Sequence, residues 1–458
     1  MSEESVTAAC DDTRRGAFAP GHLGELTQIV PFEMVDAALA ETGTLEQRTR
    51  LLPSRVVVYL LLAAGLFSEI GLGQVWSRLC AGLPECVPSP APSAVCAARA
   101  RLGVAPFAAL FDLLRGAQTG SPRRRGVFWR SRLVTAVDGS VLCCPDTPAN
   151  LTEFAKPGGA RGAAAYPAVR VLALIACGTR TVIDAVFGHD RIGEVSYGEQ
   201  LAASTGPGMI VLADRNFDAH RWISAVTATG AEVLVRAKDN RRPAVCRVLA
   251  DGSVISRIGT VEVRVITATV TITTATSSRR EHYRLITTVL DPEVPALEIV
   301  ELYHQRWEIE TSFAEIKATG LGGRVLRSRT PLGVRQEIYA LLITYQAVRI
   351  AISDTTWSRP DLDPDRGSFT VARQAARDQL TAAAGIIAGA AIDLVGVIGG
   401  HVLQALLPPR RTRSGPRVVK RALSKYAAST IHHRHHGPTA KIKISIELQP
   451  TLTTPAPP

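Results

Sequence analysis

Residues Gly208–Phe217 read GMIVLADRNF. An unbroken apolar run that stops at an aspartate is the pattern of a strand buried on both faces, with a charged residue at its carboxyl end. The run is followed by DAHRWISAVTATG, which has helical spacing, and then by AEVLVRAK, another apolar strand. Upstream, RLVTAVDGSVL is a β-branched run broken by Asp138-Gly139, AVRVLALIAC from Ala168 is a near-continuous apolar strand, and TVIDAVFG is a further one. Buried strands alternating with helices predict an α/β core.

The texture changes on either side of that core. Residues 1–125 read as helical, with VVVYLLLAAGLF from Val56 and IGLGQVWSRLCAGL as packed helices and PECVPSPAPSA as a hinge. The core begins at 126 and runs to 238. From Asp239 to Pro295 the chain alternates and is rich in Thr, Val and Ile, which predicts an antiparallel β insertion. Helix returns over 296–352 and completes the core. The remainder, 353–458, is a helical region followed by a basic tail containing His432, His433, His435 and His436.

Composition narrows the function classes. A formal charge of +11 suits a polyanionic partner, nucleic acid or an anionic surface. The eight cysteines include no CxxC pair, which argues against thiolate zinc sites and redox motifs. The first residues, MSEESVTAACDD, lack a signal-peptide core, and a reducing cytoplasm fits. The apolar run from Val56 is short for a bilayer span, and the one from Leu380 carries Asp393, so both are expected as packed helices with no membrane partner.

The stretch Tyr303–Lys317, YHQRWEIETSFAEIK, holds three glutamates. On a wheel of about 100° per residue with Tyr303 at zero, Arg306, Glu310 and Lys317 fall at about 300°, 340° and 320°. Leu302, Ile309, Phe313 and Ile316 fall beside that arc. Glu301, Glu308 and Glu315 fall on the far side, which is expected to be solvated. Taken alone, the helix is equally an amphipathic surface helix with ordinary ion pairs. Asp138 and Asp214, each at the end or interruption of a strand, add to it. A lone aspartate in that place is commonly a turn or helix cap. Two of them with a facing Glu310 point instead to a carboxylate cluster for hard divalent cations, magnesium above all.

These residues resemble a family, the insertion-sequence 4 type DDE transposases with a ribonuclease-H-like core. Its Y-x2-R-x3-E-x6-K signature fits Tyr303, Arg306, Glu310 and Lys317, and its two aspartates fit VDGS at Asp138 and LADRNF at Asp214. Asn216 stands where the family more often has Gly, a change expected to be harmless because Asn tolerates a positive φ. The aspartates are 76 residues apart and Glu310 follows 96 residues later, spacing that suits a β insertion. LPSRVVVYLLLAAGLF and ARARLG are similar to the family's N-terminal domain, which implies DNA-end binding by 1–125.

The resemblance implies that Asp138, Asp214 and Glu310 bind two Mg2+ ions, replaceable by Mn2+. The enzyme would nick double-stranded DNA at terminal inverted repeats, then use the freed 3′-OH to cut the second strand, through a hairpin, or to join target DNA. Tyr303, Arg306 and Lys317 would grip DNA near the scissile phosphate. A dimer in the synaptic complex and a bacterial, nucleoid-associated location follow from the same resemblance. A nuclease of the same fold without strand transfer and a catalytically silent DNA-binding relic are the rival readings. Lys238 is read as a solvated strand-end lysine, Trp222 as core, and the His-rich tail as a basic DNA-contacting segment; Arg123, Arg124 and Arg125 fit either a DNA contact or a soluble linker.

Overall fold

The computed structural model describes residues 21–409 and 441–446, except 47, 49, 51, 84–86, 120–125, 160–161, 274–277 and 385–394. The Arg123–Arg125 linker and the His-rich tail lie outside the described residues.

Among the described residues, a 3-10 turn at Leu26–Gln28 is followed by α1 (Phe32–Glu41), α2 (Ser54–Leu66), α3 (Leu72–Cys80), α4 (Pro92–Leu102) and α5 (Ala105–Leu114). Pro53 precedes α2, where a fixed φ and a missing N–H cost nothing. From Val56 onward every residue of α2 is buried, as an all-round apolar helix must be. Among the described residues no single helix is long and apolar enough to cross a membrane.

The core strands are β1 (Arg132–Cys143), β2 (Ala168–Ala176), β3 (Val182–His189), β4 (Met209–Ala213) and β5 (Glu232–Arg236). The helix α6 (Glu194–Ala202) follows β3, and α7 (His220–Ala228) joins β4 to β5. The sheet order is β3-β2-β1-β4-β5. Neighbours are antiparallel from β3 to β1, and β4 and β5 then run parallel to β1. This mixed sheet, with an antiparallel meander flanked by crossover strands, is the ribonuclease-H-like arrangement. Trp222 of α7 is fully buried, as expected.

The alternating segment beyond β5 forms strands β6 (Val254–Ile258), β7 (Val261–Thr273) and β8 (Ser278–Thr287). They do not make a detached lobe. Leu285, Ile286 and Thr287 pair with Arg236, Val235 and Leu234, so β8 extends the core sheet beyond β5. A late strand, β9 (Lys441–Ile446), pairs with β7. Arg264, wholly buried in β7, donates to the carbonyls of Asp291 and Val294 and pairs with Asp251, tying the insertion to the chain that leads back to the core.

The return consists of α8 (Ala296–Tyr303), a 3-10 turn at His304–Arg306, α9 (Trp307–Ala314) and a π-helical turn at Glu315–Gly320. The long helix α10 (Pro331–Trp357) follows; its start is capped by Thr330, whose hydroxyl accepts from the Gly333 N–H at 3.2 Å, with Pro331 at the first helical position. One face of the sheet, with Val134 and Ala136 of β1, shares a core with α2, α9 and α10. The other face, with Leu133 and Val137, packs on α6 and α7.

Candidate functional site

Alternation along β1 puts Asp138 on the same face as Val134 and Ala136, the face covered by α9. In the parallel pair, Ala136 is level with Leu212. Each aspartate lies two residues beyond that last pairing, so Asp138 and Asp214 emerge side by side where β1 and β4 part. Asp214 follows the carboxyl end of β4, whereas Asp138 lies inside β1, which is not interrupted there and runs on to Cys143 against β2. Asp214 also does what a lone strand-end aspartate does: it caps the turn Arg215–Phe217, its Oδ1 accepting from the Asn216 N–H at 2.8 Å.

The helix with Glu310 comes down on this crevice and is held there by Tyr303. That side chain is buried, and its hydroxyl donates to the Ala213 carbonyl at 3.1 Å, one residue before Asp214. Tyr303 is therefore a strut between α8 and the end of β4. Its ring lies beneath the helix, within the core, and is 7% exposed.

Arg306 sits among the carboxylates. Its Nη2 donates to Glu310 Oε1 at 2.9 Å, and its Nη1 lies 3.7 Å from Asp138 Oδ2. The guanidinium also stacks over the Trp307 ring, and its Nε is buried without a hydrogen-bond partner. Lys317 Nζ donates to Ser140 Oγ at 3.2 Å, two residues past Asp138. The Asp138 carboxyl is pushed up to about 7, chiefly by burial and in smaller part by the Asp214 and Glu194 charges, against the opposing pull of the Gly139 N–H bond and Arg306. The site carries more negative charge than its own cations neutralise, which is the condition that draws in a divalent metal.

Among the described residues no three His, Cys, Asp or Glu side chains form a ready-made metal cage. The expected cluster is thus only partly assembled: Asp138 and Asp214 face one another electrostatically, while Glu310 is turned to Arg306. The donors are all oxygens, suited to a hard cation. Asp138 and Asp214 would hold it, with Glu310 available once released from Arg306.

The wheel separated Glu310 from its neighbours correctly but misjudged the far side. Glu308 is only 2% exposed and binds Arg180, with Nε at 2.5 Å from its Oε2. Glu315 contacts Arg180, Arg349 and the Tyr345 hydroxyl. The far face of α9 is not solvated because α10 and the β2–β3 turn close over it; Glu301, seven residues before Glu308 on α8, is exposed as expected. Lys238 is exposed at its strand end, its N–H donating to Asp218 Oδ2.

One side chain at the site, Glu194, was not read from the sequence, nor was the role of Asn216. Glu194, at the start of α6, has Oε1 2.6 Å from Arg170 Nη1 and Oε2 3.2 Å from Asn216 Nδ2. The available signal was an acidic residue opening a helix shortly after an apolar strand. Asn216 lies in a 3-10 turn and is not among the residues with positive φ, so its backbone does not explain its presence.

Residues 20–112 match the family model described as Insertion element 4 transposase N-terminal, and residues 129–347 match Transposase DDE domain. Across 412 residues, 86% of this chain and 91% of the relative, the sequence is 29% identical to the transposase InsG for insertion sequence element IS4 of Escherichia coli (strain K12). A solved structure of the piggyBac transposase synaptic complex with hairpin DNA aligns with 84% of this chain and 86% of its own, at 10% identity and a TM-score of 0.41.

Proposed function

The chain belongs to the insertion-sequence 4 type DDE transposases, enzymes of metal-dependent phosphoryl transfer on DNA, and we propose that Asp138, Asp214 and Glu310 are its metal-binding carboxylates. The observation that carries this reading is the position of Asp138 and Asp214, side by side where two parallel strands part, under the helix of Glu310. Two Mg2+ ions, with Mn2+ as a substitute, are the metals proposed. Bound there, such ions lower the pKa of a water or 3′-hydroxyl and neutralise charge on the leaving oxygen.

The protein's own groups orient the DNA. Lys317, anchored near Ser140, presents a point charge beside Asp138, and Arg306, once it leaves Glu310, offers a planar fork to a phosphate. Fixing the scissile phosphate between these cations and the carboxylates supplies the orientation on which in-line displacement depends. The net charge of +11 adds a general attraction to the phosphate backbone. The DNA partners proposed are the terminal inverted repeats and the target, bound by a dimer that brings two ends together. Intact carboxylates weigh against a silent relic, and the match along both family regions weighs against a simple nuclease.

The test is incubation of the purified protein with its flanking genomic DNA ends and Mg2+, resolving cleaved from joined products. Asp138→Asn, Asp214→Asn and Glu310→Gln should each abolish both products while leaving end binding nearly intact. Cleavage that survives any one of these changes would remove that residue from the set, and cleavage without joined product would favour the nuclease.

A further inference from the structure

The Asp214 carboxylate does not stand alone. Its Oδ1 accepts from the backbone N–H of Asn216, and the side-chain amide of the same Asn216 donates to Glu194 Oε2. The other oxygen of Glu194 is held by Arg170 of β2, whose Nε and Nη2 in turn reach the Asp190 carbonyl. A chain of polar contacts thus runs from β2, through the head of α6, to the turn that carries Asp214. Room for it is made on β1. A methyl group at Gly139 would stand 2.7 Å from Glu194 Oε1, so the residue after Asp138 can carry no side chain while Glu194 occupies this place. The glutamate side chain is 21% exposed, so water does not fully screen it.

We propose that Glu194 and Asn216 are a positioning pair that holds Asp214 ready for its metal ion, an inference that rests on Asp214 being a ligand. Glycine at 216 would keep the backbone N–H but lose the amide that Glu194 holds, and the turn would then lie free to rotate its N–H away from Asp214. Asn216 therefore does what the glycine more usual in this motif cannot do. Both oxygens of Glu194 are occupied by Arg170 and Asn216, so its part is to orient a ligand rather than to be one. Partners of this kind, one step behind a ligand, typically change metal affinity by about 10–100-fold when removed.

The experiment measures Mn2+ binding to the full-length protein by isothermal titration calorimetry, beside the Mn2+ dependence of end cleavage. Glu194→Ala and Asn216→Gly should each weaken Mn2+ binding about tenfold or more, with melting temperatures in EDTA close to wild type. The double variant should be no weaker than the worse single one, because both changes cut the same chain. Glu194→Gln, which keeps an acceptor for the Asn216 amide, should restore most of the affinity. Wild-type Mn2+ affinity in either single variant, or losses that add in the double, would overturn the proposal. Asp214→Asn is the control: if it loses Mn2+ while the pair variants keep it, only the positioning role fails; if it binds Mn2+ normally, the reading of the site fails with it.

Discussion

The hydroxyl of Tyr303 and the carbonyl of Ala213 are joined by a 3.1 Å hydrogen bond that ties the helix before Glu310 to the strand end before Asp214. Two elements that carry proposed ligands, joined at residues 90 apart in sequence, are held in one geometry by this contact. Tyr303→Phe should cost about 1 kcal/mol of stability, the usual net worth of one buried hydrogen bond. It should slow cleavage while leaving the salt dependence of end binding unchanged. A shallower salt slope in Tyr303→Phe would return the residue to the DNA contacts.

Glu308 and Arg180 form an ion pair that is almost completely withdrawn from water. Removing Glu308 leaves the buried Arg180 with only its longer contact to Glu315, and breaking a buried pair costs about 3–5 kcal/mol. Glu308→Ala should lose stability on that scale in urea denaturation, whereas Glu301→Ala, on the exposed side of α8, should stay within about 0.5 kcal/mol of wild type. Equal losses in the two variants would mean that the pair contributes nothing specific.

The Asp138 carboxyl of the metal-free protein, raised chiefly by burial from 3.8 to about 7, holds its proton more tightly when folded than when unfolded. The stability this proton confers is fully present below about pH 4 and is lost as the pH rises to about 7. Asp138→Asn cannot ionise and escapes that loss. In EDTA it should melt above wild type at pH 8, with the advantage shrinking toward pH 4. Melting scans across this range provide the check, and parallel pH profiles for the two proteins would show that burial does not shift the group.

Lys317 reaches Ser140 with a single hydrogen bond and, among the described residues, has no ion pair to break. If its charge meets a DNA phosphate, Lys317→Ala should lower the slope of log binding constant against log salt by about one unit. Its melting temperature should remain near wild type. Arg306→Ala should differ, because it also exposes Asp138 and Glu310 to one another's charge. A lower melting temperature in EDTA, partly recovered on adding Mn2+, is expected of it together with the reduced salt slope. Unchanged salt slopes in both variants would remove them from the DNA interface.

The sequence alone determined the element types and the identity of the candidate ligands. A short apolar run such as MIVLA, bounded by Gly208 and Asp214, suits a strand covered on both sides, and the alternation in VEVRVITATV suits a sheet with unlike faces. The family signature singled out Glu310 from three glutamates because spacing along one helix is a local property. What lies opposite each helix face is not local. Only the tertiary structure showed that Glu308 and Glu315 meet Arg180 and Arg349, and that Tyr303 points into the core. A wheel reports direction about an axis, and the same direction faces water or a second helix according to what α10 covers. The link from Glu194 through Asn216 to Asp214 was hidden for the same reason. Its parts come from β2, α6 and the turn after β4, and they meet only because strand order brings β2, β1 and β4 into adjacent places.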